Sequence, residues 1–254
     1  MEDKGTAFLR LVAIMDELRE QCPWDKVQTK ESIRHLSIEE VYELSDAILK
    51  GDYKDIKEEL GDLLLHIVFY SKMAEEKGEF TLADVSNAIC DKLIERHPHI
   101  YGNVKADDAE TVKQNWEKIK QKGKKKNSSV LSGVPVSMPP VVKAMRMQDK
   151  AAQVGFDWEK KSQVWDKVEE ELLEFKNAKT KEHREEEFGD LIFSLINYAR
   201  YEDINPDDAL SKTNNKFYKR FTFIEKKARE LGKDLDEMSL EEMDKLWDLA
   251  KTLP

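Results

Sequence analysis

The sequence predicts an all-α fold, arranged as two tandem helical-bundle domains. Three observations carry that expectation. Apolar residues recur at spacings of three and four along most of the chain, the period of a helix with one buried face. Only 10 glycines and 7 prolines stand among 254 residues, too few for a loop-rich β fold. An acidic block, Glu58-Glu59-Leu60-Gly61-Asp62-Leu63, returns as Glu186-Glu187-Phe188-Gly189-Asp190-Leu191, at an offset of 128.

The elements follow in order. Phe8, Leu11, Val12, Met15 and Leu18 mark a first helix over about 6–20, broken by Cys22-Pro23-Trp24-Asp25. A second helical stretch ends near Lys50-Gly51-Asp52. A long third helix carries Glu58 to Asp62 and runs to about Lys77, with Gly78 as its stop. A fourth covers about 82–96 and ends before His97-Pro98. A fifth covers about 108–121. Residues 122–140 then change character. Lys122 to Ser129 is basic and polar, and Val134-Pro135 and Pro139-Pro140 follow, which reads as a solvated linker. Helical patterning resumes at 141, with helices near 162–178, 182–202, 206–231 and 239–251. Ser239 with Glu242 forms a capping-box signature at the last start. The domains are therefore expected at 1–121 and 141–254, joined by 122–140.

Composition narrows the class of function. The net charge of -10 argues against a general nucleic-acid binder, and no apolar run is long enough to span a membrane. No secretory leader pattern is read at the N-terminus. Cys22 and Cys90 make neither a disulfide framework nor a zinc spacing, so a cytoplasmic location is expected. An acidic protein can still act on an anion, because carboxylates recruit divalent cations that hold phosphates.

The repeat extends beyond the acidic block. Glu39-Glu40-Val41-Tyr42-Glu43 matches Glu170-Glu171-Leu172-Leu173-Glu174 at an offset of 131. Tyr70 pairs with Tyr198, and Lys92 and Arg96 pair with Lys216 and Arg220. Each copy thus has one helix with E-x-x-E and a following helix with E-x-x-D. Residues three apart share a helix face. If the two helices pack antiparallel, Glu40, Glu43, Glu59 and Asp62 converge in the first copy. Glu171, Glu174, Glu187 and Asp190 converge in the second. Such crowding repels unless a cation sits among the groups or some are protonated. Oxygen donors alone favour Mg²⁺, with Mn²⁺ as a possible substitute.

Simpler readings exist for these acids. A Glu-rich helix is commonly a solvated face. Ser37 with Glu40 fits a capping box, although Lys167 and Val168, before Glu170 and Glu171, give the second copy no such cap. Gly61 and Gly189 are not explained by a plain surface face. A mid-helix glycine costs about 1 kcal/mol relative to alanine, which suggests close approach of another helix or a ligand. A di-iron carboxylate bundle uses Glu-x-x-His pairs. None of His35, His66, His97, His99 and His183 has Glu three residues before it.

Taken with Cys22-Pro23-Trp24-Asp25, Gln28-Thr29 and Arg96-His97-Pro98-His99, these pairs resemble the MazG family. Val154-Gly155-Phe156-Asp157-Trp158 and the stretch from Lys212 to Phe217 extend the resemblance over nearly the whole chain. It implies two MazG-like all-α domains, a homodimer, and Mg²⁺-dependent cleavage of nucleoside triphosphates to monophosphate and pyrophosphate with broad base tolerance. The eight carboxylates would hold metal. Glu170, and Glu39 in the first copy, would orient or deprotonate the attacking water. Lys167, Lys212, Asn214, Lys216 and Arg220 would bind substrate, as would Lys92 and Arg96 in the first copy. Trp247, or less directly Trp158, would stack on the base, against a plain core role for either. Ala88 and Cys90 fall opposite Lys212 and Asn214, so the second domain is expected to dominate. Two other readings remain: a narrower nucleotide substrate (dCTP or dUTP, a phosphoribosyl-nucleotide or an alarmone), and a non-enzymatic helical scaffold.

Overall fold

A computed structural model describes residues 3–106, 108, 111–112, 115–116, 119 and 129–252. The helix expected over 108–121 and the basic run before Ser129 lie largely outside the described residues. The chain is all-α, with no strand among the described residues. It divides into two compact units, Met1–Gly123 and Lys124–Pro254.

In the first unit, α1 (Lys4–Gln21) starts at Asp3, whose carboxylate accepts from the amides of Gly5 and Thr6. A short α2 (Pro23–Val27) fills the expected break, with proline at its first position, where its missing N–H costs nothing. α3 (Arg34–Lys50) ends at Gly51, which takes the left-handed conformation at φ 72°. α4 (Tyr53–Glu75) is capped by Asp52, and α5 (Leu82–Arg96) by a Thr81–Asp84 capping box. A single turn, α6 (Pro98–Tyr101), follows. The stripe read on the first helix does form the core: Met15 packs with Ile33, Val68, Phe69 and Met73, and Phe8, Leu11, Val12 and Leu18 flank them.

α3 and α4 pack along one another. The Ser37 and Tyr70 hydroxyls meet at 2.9 Å near one end of the pair, while Glu43 and Glu59 meet at the other. Early residues of α3 therefore face late residues of α4, which makes the pair antiparallel. Ser37 is not a cap. It lies inside α3, whose N-cap is Ile33, and its hydroxyl is turned toward Tyr70 and the Ile33 carbonyl. Tyr70→Phe should cost about 1 kcal/mol by leaving the part-buried Ser37 without this partner. Urea unfolding measures it, and an unchanged midpoint would show that the bond contributes nothing.

The second unit contains α7 (Pro140–Ala152), α8 (Lys161–Asn177), α9 (Lys181–Tyr201), α10 (Pro206–Glu230), a 3-10 turn at Leu235–Glu237, and α11 (Leu240–Lys251). The helices expected from 162 onward begin and end within one residue of these bounds. Ser239 is the N-cap of α11, and its box with Glu242 is present. α8 and α9 are antiparallel. Trp165 meets Tyr198 edge-on at 4.8 Å, Phe175 meets Phe188 at 5.5 Å, and Lys161 pairs with Glu202. Val164, Val168 and Ile196 are buried along this pair. α7 packs on α9 and α10, and α11 packs on α10.

The mid-helix glycines correct one expectation. A Cβ at Gly61 or Gly189 would meet nothing within 4 Å among the described residues. No described helix crowds either glycine. Both leave open surface on the helix that carries the acidic pair.

Candidate active site

The antiparallel pairing brings each set of acids together. In the first unit, carboxylate oxygens of Glu40, Glu43 and Glu59 lie within 4.8 Å of one another. Asp62 is one helical turn beyond Glu59 on the same face. Burial raises the Glu40 carboxyl above its ordinary value, and the charges of Asp62, Glu43 and Glu59 push it further. Glu59 is raised by desolvation and then by Glu43 and Asp62. His66, a turn after Asp62, is held low by burial against the pull of Asp62, and its Nδ1 is buried without a partner among the described residues. Glu39 is exposed beside Glu40.

In the second unit, Glu171, Glu187 and Asp190 converge within the same limit. Glu171 is the buried member, 7% exposed. Glu174 stands outside the group of three but belongs to its field. Its carboxyl is raised by desolvation, then by Glu187 and Glu171. Lys167 reaches Glu171 at 2.7 Å and Glu170 at 2.8 Å from the preceding turn of α8. Those hydrogen bonds to Glu170 and Glu171 hold its ammonium well above the usual lysine range. His183 contacts Glu187 at 2.8 Å. With each acid pair in its own register, Leu36 takes the place of Lys167 in the first unit, at the offset of 131, and Asp55 takes the place of His183, at the offset of 128. The two clusters thus share their acids and differ in the basic side chains beside them.

A cleft of about 580 Å³ opens from the second cluster. Lys167, Glu171 and Asp190 line it together with Phe193, Asn197 and Arg200 of α9, Met147 and Gln148 of α7, and the loop from Gly155 to Trp158. That loop is pinned at one point. Asp157 accepts from Arg200 at 2.9 and 2.5 Å, and the Tyr201 hydroxyl lies 2.6 Å from both Asp157 Oδ1 and the Trp158 carbonyl, its one proton shared between them. Gly155, at φ 86°, supplies the backbone turn that starts the loop. In the first unit the corresponding loop is held differently. Arg19 donates to the carbonyls of Asp25 and Gln28 and pairs with Glu76 at 2.6 Å.

The other residues singled out in the sequence fall elsewhere. Lys212, Asn214 and Lys216 lie exposed on α10 and do not line this cleft. Arg220 places its guanidinium 5.3 Å from the ring centre of Trp247, which also packs against Phe217 at 5.4 Å. Trp158, by contrast, is in the cleft wall. Lys92 is exposed on α5, and Arg96 lies over Trp116 at 5.3 Å. Asp157, Arg200 and Gln148 were not singled out from sequence. Arg200 alone was within reach, because Asp190, Phe193, Asn197 and Arg200 continue one face of α9 at spacings of three and four.

The donors in both clusters are carboxylate oxygens. Burial and then like charge raise the carboxyls of Glu40, Glu59 and Glu174, and such a crowd of oxygen donors suits a hard divalent cation. Fold and site together define an all-α protein with two acidic sites, each built on an antiparallel helix pair. Comparison with known proteins identifies the lineage. Residues 28–101 match the MazG nucleotide pyrophosphohydrolase domain. The chain is 44% identical over 255 residues to the nucleoside triphosphate pyrophosphohydrolase/pyrophosphatase MazG of Thermotoga maritima, covering 99% of this chain and 98% of that protein. It is 40% identical to the nucleoside triphosphate pyrophosphohydrolase of Escherichia coli K12, over 95% of this chain and 96% of the relative. It is 46% identical to the Bacillus subtilis protein YabN, matching 51% of that longer chain. The chain belongs to the MazG family.

Proposed function

We propose that this chain hydrolyses nucleoside triphosphates to monophosphate and pyrophosphate in a Mg²⁺-dependent reaction, mainly in its second unit. The observation that carries this reading is the joining of Lys167 and the Glu171–Glu187–Asp190 group to a cleft of nucleotide size. The full-length relatives named for this activity support the reaction class. Two MazG-like domains, 1–121 and 141–254, with 122–140 between them, are part of the same proposal.

Glu171, Glu187 and Asp190, with Glu174 beside them, would hold Mg²⁺ or Mn²⁺. A cation held by these residues would supply positive charge to offset the charge that develops on the triphosphate. Glu170, in 2.8 Å contact with Lys167, would accept a proton from water. The water oxygen bonds the α-phosphorus, the bond from that phosphorus to the bridging oxygen breaks, and pyrophosphate leaves with its electron pair. Lys167 is close enough to exchange its contacts with Glu170 and Glu171 for phosphate oxygens.

Lys212, Asn214, Lys216 and Arg220 would serve the triphosphate from a second copy of the chain. Leu210, Phe217 and Tyr218 are exposed on the same helix, which supports a homodimer packed through α10. Among the described residues no helix is long and apolar enough to cross a membrane.

The test is a panel of ribo- and deoxyribonucleoside triphosphates, with pyrophosphate and orthophosphate measured separately with and without Mg²⁺. Pyrophosphate release that requires the metal is expected across several bases. Orthophosphate as the first product refutes the assignment. Turnover of one base alone would favour the narrower-substrate reading. Absence of both turnover and Mg²⁺-nucleotide stabilisation would favour a scaffold.

A further inference from the structure

Within the cleft, one side chain has a free valence that the reaction above does not use. Gln148 on α7 is 7% exposed. Its Nε2 donates to the Phe193 carbonyl at 2.9 Å. Because only the NH₂ end of the amide can donate, that bond fixes which way the group is turned. Oε1 is then left buried with no partner among the described residues. A buried acceptor without a donor is costly and rare in native proteins. Gln148 is among the residues that line the cleft, so a nucleotide bound there comes next to this amide.

The neighbouring groups describe what that donor belongs to. Along α9 the cleft runs from Asp190 to Arg200, ten residues and about 15 Å of helix, so the metal-binding end and the far end are well separated. The wall beyond the acids is largely apolar and aromatic, with Phe156, Trp158 and Phe193. Asn197 adds a second amide. Its Oδ1 accepts from Arg200 at 3.0 and 3.2 Å, which leaves its NH₂ to donate. Arg200 and Asp157 are committed to each other. The part of the cleft away from the acids therefore offers one acceptor and one donor between flat apolar surfaces. That combination suits a planar heterocycle with an N–H beside a ring nitrogen or carbonyl.

We propose that the base of the nucleotide occupies this part of the cleft and that Gln148 Oε1 accepts a hydrogen bond from its exocyclic amine or ring N–H. The proposal rests on the triphosphate-hydrolase reading and adds a specificity determinant to it. Trp158, rather than Trp247, is then the tryptophan beside the base. Bases that present no N–H at this edge leave the acceptor unsatisfied and are discriminated against.

The experiment compares wild type with Gln148→Met on matched substrates: CTP with its pyrimidin-2-one analogue, ATP with purine riboside triphosphate, and UTP with its 3-methyl analogue. In wild type, the N–H-bearing member of at least one pair is expected to be favoured about tenfold in kcat/KM, mostly through KM. In Gln148→Met that ratio should fall to near one, with the N–H-lacking member turned over as before. A merely structural role, acting through the Phe193 carbonyl, would depress both members equally and leave the ratio alone. That result, or a wild-type ratio near one in every pair, overturns the proposal. The same ratios read from equilibrium binding of the corresponding monophosphates test Gln148 apart from turnover. If no triphosphate releases pyrophosphate, the hydrolase reading fails, and the binding ratios still decide the role of Gln148.

Discussion

Replacing Glu171 with alanine is expected to lower pyrophosphate release on the order of 10³-fold, whereas Glu40→Ala should lower it less than about twofold. The two residues hold matching places in the repeat, so the acids taken alone forecast equal losses. Their surroundings differ. Glu171 is buried in the cleft wall, one contact from Lys167, and removing it deletes one of three convergent donors. Lys167 keeps Glu170 as a partner, so the variant should still fold. Glu40 sits among acids with Leu36 at the place of Lys167, and no cleft lining includes it among the described residues. Steady-state release of pyrophosphate, with circular dichroism to confirm folding, measures both. Equal losses, or a larger loss from Glu40→Ala, would sink the asymmetry.

The second large effect is expected at Asp157. Asp157→Ala should destabilise the second unit by about 2 kcal/mol, the scale of charged hydrogen bonds lost from part-buried groups. Arg200 loses two bonds and Tyr201 one, and the Arg200 side chain is only 17% exposed. The loop from Gly155 to Trp158 would lose its anchor, and KM should rise several-fold because Phe156 and Trp158 no longer hold the cleft wall. The effect depends on pH with a definite sign. Burial raises the Asp157 carboxyl, but Arg200 and Tyr201 outweigh it and leave it below the ordinary aspartate value. A depressed carboxylate stabilises the fold fully above its unfolded pKa and loses that contribution as pH falls through the folded value. Wild type should therefore lead the variant at pH 7, with the gap closing below about pH 4. Urea unfolding at both ends of that range decides it; a gap that persists in acid would mean the carboxylate charge is not what holds the loop.

Much of the fold was legible from spacing. The stripe from Phe8 to Leu18 is a core stripe, and Pro206, Ser239 and Thr81 stand where helices begin, because these signals act within a turn or two of the chain. The convergence of the acids could be read once antiparallel pairing was assumed, since E-x-x-E and E-x-x-D fix each half-site locally. Other features required tertiary contacts. Ser37 carries the local signature of a cap, yet α3 starts upstream of it and its hydroxyl serves Tyr70, 33 residues away. Nothing near Asp157 announces Arg200, 43 residues on. Gln148 looks like an ordinary polar residue of an amphipathic helix until α9 covers it. The glycines invited a guess about helix crowding that the open surface over Gly61 and Gly189 does not support within one chain.

The two loops gripped by arginine will tolerate change unequally. Arg19 holds its loop largely through carbonyl oxygens, which every amino acid supplies, so side chains between Asp25 and Gln28 can vary with little harm to the anchor. Arg200 holds its loop through one carboxylate that no other residue reproduces at that length. A random library over both loops should return folded variants with many residues at position 25 and almost none but aspartate at position 157.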